Sequence, residues 1–231
     1  MSTRTLLPAL MLPCAFAAQA HEDMTVFHAF RLELAAGDSR AGESAASWDL
    51  DGWVGGDNHK LWLKSEGELA DHDTESSESW ALYSYNLDTF WDVQAGVRYD
   101  NRPVSTGYFV TGFTGLAPYF VETEAHLFVS EDGDVSARLH VERDWLLTQK
   151  LILQPYLEMN AYAQDVKELE VGSGVSDATI GLQLRYEITR QFAPYIAISA
   201  EKQFGETADI AVADGEHRTD RIITAGVRLL F

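Results

Sequence analysis

The residues with most chemistry in this 231-residue chain are histidines set among carboxylates. Glu124, His126, His140 and Glu142 flank the segment Glu131-Asp132-Gly133-Asp134. Its Asp-Gly pair signals a tight hairpin. A register that pairs Glu131 with Val135 matches the two polar faces. It sets His126 opposite His140 and Glu124 opposite Glu142. Opposed residues have Cβ atoms about 4.5–5.5 Å apart, within reach of one shared ion. Imidazoles with carboxylates suit Cu(II) or Zn(II) better than Cu(I). A slip by one pair would break the histidine pairing. An ordinary polar wall, with His and Glu satisfied by Arg138, Arg98 and Arg185, is the competing reading.

A second ligand set lies near the amino terminus. Cleavage after Ala20 would leave His21 with a free α-amino group beside its imidazole, a two-nitrogen chelate for Cu(II). Met24 adds a soft thioether nearby. The alternative is a stub that binds nothing. Asp71, Asp73 and Glu75 have the spacing that opens a calcium loop. Ser76 stands where glycine is required and Leu82 where glutamate is, so calcium is rejected. The histidines have no serine at triad-like spacing, and no catalytic residues are assigned. The chain is read as a non-enzyme.

The elements that must position these groups are strands. Trp91, Val93, Ala95, Val97 and Tyr99 alternate with Asp92, Gln94, Gly96, Arg98 and Asp100. Leu151 to Met159 and Ala178 to Ile188 alternate in the same way. Twelve segments read as strands: 25–35, 46–55, 60–69, 79–87, 91–100, 106–116, 120–130, 135–145, 151–164, 176–189, 194–204 and 218–231. Each is long enough to cross a bilayer at a tilt, which takes about 9–11 residues. One face is too charged to meet lipid, so it must line a lumen. Short connections alternate with longer polar ones at 36–45, 70–78, 165–175 and 205–217. The expected fold is therefore all-β, a transmembrane antiparallel barrel with both termini periplasmic. Phe90, Trp91, Tyr119, Phe120, Phe192, Tyr195 and Phe231 are expected to form a periplasmic girdle.

Both ends suit export. Residues 1–20 read as a signal peptide: Arg4, an apolar run broken by Pro8 and Pro13, then Ala18-Gln19-Ala20. Residues 21–24 form a short stub and 25–231 the barrel. Thr224, Gly226, Leu229 and Phe231 match the terminal signal by which outer-membrane barrels are handed to their assembly machinery. Cys14 leaves with the leader, so thiol chemistry is excluded. The 36 acids against 17 bases give a net charge of −19, and losing Arg4 makes it more negative. Nucleic acid is excluded as a partner; cations are favoured.

Several stretches resemble the copper resistance protein B family of outer-membrane proteins. They include Gly52-Trp53-Val54-Gly55-Gly56-Asp57 and Leu61-Trp62-Leu63-Lys64-Ser65-Glu66-Gly67-Glu68. They continue with Phe90-Trp91-Asp92-Val93, Gly115-Leu116-Ala117-Pro118-Tyr119-Phe120 and Ser130-Glu131-Asp132-Gly133-Asp134. Leu147-Thr148-Gln149-Lys150 and Phe192-Ala193-Pro194-Tyr195 complete the set. The resemblance implies a barrel in the outer-membrane lipid bilayer of a Gram-negative bacterium. It further implies copper as bound or transported ion and a periplasmic copper-handling partner. Many family members carry a Met- and His-rich segment before the barrel, whereas only His21-Glu22-Asp23-Met24 precedes the first strand here. A cation-favouring small-solute pore, or a scaffold with no copper site of its own, is the alternative.

Overall fold

The computed structural model describes residues 26–39, 44–70, 73–213, 215 and 217–231. His21, Met24 and the leader lie outside them. One antiparallel sheet closes on itself. In chain order its strands are β1 (Phe27–Ser39), β2 (Ser44–Gly55), β3 (His59–Ala70), β4 (Asp73–Asn86), β5 (Trp91–Arg102) and β6 (Thr106–Ala117). Then follow β7 (Val121–Ser130), β8 (Val135–Glu142), β9 (Trp145–Leu146), β10 (Leu151–Tyr162), β11 (Gly174–Tyr186), β12 (Phe192–Gln203) and β13 (Thr219–Leu230).

β8 and β9 form one stave. Both pair with β10 in the same register, and the ladder lapses only at Arg143 and Asp144. The interruption faces Pro155, which has no backbone N–H to donate. The wall is therefore twelve staves, as alternation predicted. β13 closes on β1, and Phe231 exchanges backbone hydrogen bonds with Phe30 at 2.8 and 3.0 Å. Their rings stack with centroids 6.4 Å apart.

The staves follow a period of two, broken by register shifts at Glu68/Leu69, Ser77/Glu78 and Asn160/Ala161. Tyr83, Val97, Phe109, Leu127, Ile180, Ile196 and Ile223 are exposed on the outside. Gln94, His126, Gln154, Arg185 and Arg228 are buried inside. Among the described residues no helix is long and apolar enough to cross a membrane, and a closed barrel needs none, because its backbone groups pair with neighbouring strands.

Two expectations about the connections are corrected. Residues 36–45 and 70–78 are mostly strand: β1 runs to Ser39, β2 starts at Ser44, β3 ends at Ala70 and β4 starts at Asp73. Polar composition suggested loops there, but inward polar positions are what a charged lumen requires. The long outer connections are 163–173, with a short 3-10 turn at Lys167–Leu169, and 204–218, which carries helix α1 (Gly205–Ala213). These two dock together. The Gly172 N–H donates to Thr207 Oγ1 at 3.0 Å, and Val166, Ala208 and Ala211 are buried. The Ser173 N–H holds the Asp165 carboxyl below the usual carboxylate range.

The girdle also needs one correction. Phe90, Tyr119, Phe120, Phe192 and Phe231 are exposed beside the short turns. Tyr195 instead points into the lumen, because it pairs with the inward residues Arg185 and Gly226.

Candidate functional site

The lumen is the candidate site, and it is unevenly filled. On the β3–β8 side Trp80, Leu82, Tyr108, Val110 and Phe128 pack together, with Trp62 against them. The Arg98 guanidinium lies over Phe128, Tyr108 and Trp80 at 5.0, 5.1 and 5.5 Å from the ring centroids. Arg138 lies over Trp80 at 5.6 Å and Phe128 at 6.0 Å. Both guanidiniums meet Glu78: Arg98 at 2.5 Å and Arg138 at 2.8 Å. This cluster of bulky side chains fills the barrel on that side.

The end beside the short turns is closed by polar side chains. Arg228 donates to Glu33 at 2.6 Å, Gln154 at 2.9 Å and Gln183 at 3.1 Å. Arg185 pairs with Asp144 and donates to Gln154 at 3.2 Å. Asp92 accepts from Lys60, Asn86 and Ser84. Such a network resists opening because each buried partner left alone costs about 1–3 kcal/mol.

Between these regions lies a cavity of about 320 Å³. Glu33, Asp49, Asp51, Glu66, Glu68, Glu124, Glu142 and Glu158 line it, against Arg31, Lys64, Arg138 and Arg228. Carboxylates outnumber bases two to one. The opposite wall is low: Ala35, Ser47, Ala197 and Ser199 leave the space open. The Tyr156 ring lies over Gly181 so closely that a Cβ there would fall 2.1 Å from its Cζ.

The predicted register across the His126/His140 hairpin is corrected. Glu124 opposes His140, His126 opposes Arg138, and Glu142 opposes Glu122. The turn decides this. Ser130 N donates to Asp134 O at 2.8 Å, and Gly133 N to Ser130 O at 3.0 Å. Gly133 has φ +94°. A three-residue hairpin loop places its left-handed residue last, which glycine adopts without steric cost. The loop is therefore Glu131-Asp132-Gly133, closed by Ser130 and Asp134 rather than by the predicted pair Glu131 and Val135. The Ser130 hydroxyl secures it by accepting from the Asp132 and Asp134 N–H groups at 3.2 and 3.0 Å.

The two histidines consequently have different surroundings. His126 is buried, hydrogen-bonded through Nε2 to Gln94 at 2.8 Å and edge-on to Trp80. His140 sits between two carboxylates. Its Nε2 is 3.3 Å from Glu142 and its Nδ1 3.4 Å from Glu158, and Tyr156 stacks on its ring. Glu142 also meets Arg31 at 3.3 Å, and Glu124 is ion-paired with Lys64. The predicted ligands Glu124, His126, His140 and Glu142 all line the cavity, and His126 is the one engaged by Gln94.

Glu158 was missed by sequence reasoning. It faces His140 across the β8–β10 pair. The turn after β9 could have revealed it, since Leu147 N donates to Leu151 O there and fixes that register. Arg31 and Glu33 were missed for a different reason: β1 approaches β8 only across the closed lumen. Among the described residues no three His, Cys, Asp or Glu side chains are already gathered in metal-holding geometry. His59 donates to or accepts from Tyr83 Oη at 2.5 Å on the outer wall, and His28 faces outward, so both lie away from the cavity.

KdgM porin superposes with a TM-score of 0.56 at 12% identity, over 86% of this chain and 98% of its own. NanC porin superposes with a TM-score of 0.60 at 13% identity over the same shares. At those identities the likeness establishes the fold, an outer-membrane barrel. Copper resistance protein B of Escherichia coli is 45% identical over 80% of this chain. The homolog from Pseudomonas syringae pv. tomato is 42% identical over 81%. The chain spans 63% and 64% of the length of these two relatives. The family model for the copper resistance protein B precursor matches residues 25–231. With nine-tenths of its length under that match and an outer-membrane barrel for a fold, the chain belongs to the copper resistance protein B family.

Proposed function

We propose that this barrel takes copper ions into its lumen and passes them across the outer membrane as cargo. The observation that carries the reading is the acidic cavity, with His140 held between Glu142 and Glu158. Excess negative charge in a low-dielectric enclosure concentrates cations. Imidazole nitrogen and carboxylate oxygens are donors that suit Cu(II). His140, Glu142, Glu158 and Glu124 are the proposed ligands. Lys64 and Arg31, which now neutralise Glu124 and Glu142, are the cations an incoming ion would displace. His126, already engaged by Gln94, serves the wall. His21 and Met24 are a separate proposed ligand pair. A periplasmic copper-handling protein is the proposed partner at the short-turn end, and the assembly machinery reads the terminal strand.

A scaffold or cation-favouring pore with no copper site is the second reading. The lack of a preformed three-ligand group among the described residues favours it. Titration of the refolded barrel with Cu(II) and Cu(I) separates the two. Tight Cu(II) binding that His140→Ala loses and His126→Ala retains supports the lumen site. Binding no stronger than to an unrelated acidic barrel refutes it. Binding that survives both substitutions but falls in a His21→Ala/Met24→Ala variant moves the site to the amino terminus.

A further inference from the structure

The lipid-facing wall carries a feature that copper handling does not use. Lys202 and Arg221 both point outward and are exposed. Lys202 is the penultimate residue of β12, and Arg221 the third of β13. Lys202 pairs with Thr219 and Arg221 with Ala200, so the two residues are diagonal neighbours, with Cα atoms about 7–8 Å apart. They lie at the rim that carries the long connections, the outer side of such barrels. Among the described residues neither has a carboxylate within ion-pair distance, whereas nearby Arg218 is matched by Asp209 at 2.7 Å. Two adjacent like charges on an apolar wall repel each other and gain most from one bridging anion.

The wall below them is grooved. The outward residues of one row are Val141, Leu157, Ile180, Ala200 and Arg221. Ala200 is the low point between Ile180 and Arg221. These residues line an external apolar groove of about 630 Å³. It leads from Arg221, beside Lys202, down into the zone of acyl chains. An anion with hydrocarbon chains directly beneath it fits both parts. In the outer leaflet of this membrane, that description is met by the phosphorylated glycolipid anchor of lipopolysaccharide.

We propose that Lys202, Arg221 and the groove through Ala200 form a docking site for lipopolysaccharide, with its phosphate on the cation pair and its acyl chains in the groove.

The test is native mass spectrometry of the purified full chain in mild detergent. The probes are rough-type lipopolysaccharide, the same lipid dephosphorylated, and phosphatidylglycerol. Wild type should retain the phosphorylated glycolipid about tenfold better than the dephosphorylated one. Lys202→Gln/Arg221→Gln should abolish that preference. Ala200→Phe, which fills the groove and leaves both charges, should lower retention of both glycolipids. Unheated gel mobility checks that each variant is folded. Retention unchanged in the folded charge variant, equal retention after dephosphorylation, or equal competition by phosphatidylglycerol would each overturn the proposal.

Discussion

Arg138 is the residue whose loss should be felt most, and its effect can be worked from its contacts. Its guanidinium meets Glu66 at 2.6 Å, Glu78 at 2.8 Å and Glu158 at 3.7 Å, and donates to Asn160 at 3.0 Å. Methionine at 138 keeps much of the side-chain length between Trp80 and Phe128 but removes the charge. Stranding a buried ion-pair partner costs about 3–5 kcal/mol. Glu78 is not stranded, because Arg98 remains at 2.5 Å. Glu66 has no other basic partner among the described residues, but 42% of its side chain is exposed to the cavity. Its penalty is therefore reduced by solvent. The lost cation–π contacts add about 0.5–1 kcal/mol each. Arg138→Met should thus destabilise the barrel by about 3 kcal/mol, the low end of the range. Removing the stranded carboxylate as well, in Arg138→Met/Glu66→Gln, should return about 1 kcal/mol or more. Reversible urea unfolding in lipid vesicles, followed by tryptophan fluorescence, measures both. A single-mutant loss below about 1 kcal/mol, or a double mutant less stable than the single, would refute this account of the lumen charges.

Other substitutions test other links. Gly133→Ala forces a Cβ onto a residue at φ +94°; it should cost about 1 kcal/mol in the same assay and leave copper titration unchanged. His126→Phe should destabilise the wall by about 1–3 kcal/mol, because Gln94 loses its partner in a buried position. Its Cu(II) isotherm should still overlay wild type; loss of binding would return His126 to the ligand set. Deleting Phe231 removes the backbone pair with Phe30 that closes the last ladder and should lower the yield of heat-modifiable barrel in cells; an unchanged yield would sink the role assigned to the terminal residue. In planar bilayers, any conductance should favour cations, and Glu142→Gln/Glu158→Gln should weaken that preference, read from the reversal potential in a salt gradient.

Much of this molecule was legible from residue order because one period governs most of its wall. The alternation in 91–100, 151–164 and 176–189 identified which side chains face lipid and which face inward; β5 keeps that division residue by residue, and β10 and β11 keep it up to the register shift at Asn160/Ala161. The number of staves and the closing strand at Phe231 follow from the same pattern, whereas how side chains fill the middle does not. Composition misled at 36–45 and 70–78, since polar residues mark a loop and a charged lumen equally well.

Register and cross-lumen contact were decided by tertiary structure. A hairpin loop of given length can start at either of two residues, and the left-handed conformation of Gly133 selects one. That choice separates His126 from His140 and leaves His140 to Glu158 on β10. Closure then brings Arg31 to Glu142, Lys64 to Glu124 and Arg138 to Glu66. These partners lie on strands that are not neighbours in the wall. Alternation along a strand specifies a face, and a face is a one-dimensional property of the sequence. Which charges meet across an enclosed space depends on strand number, tilt and register together, and only the closed barrel supplies all three.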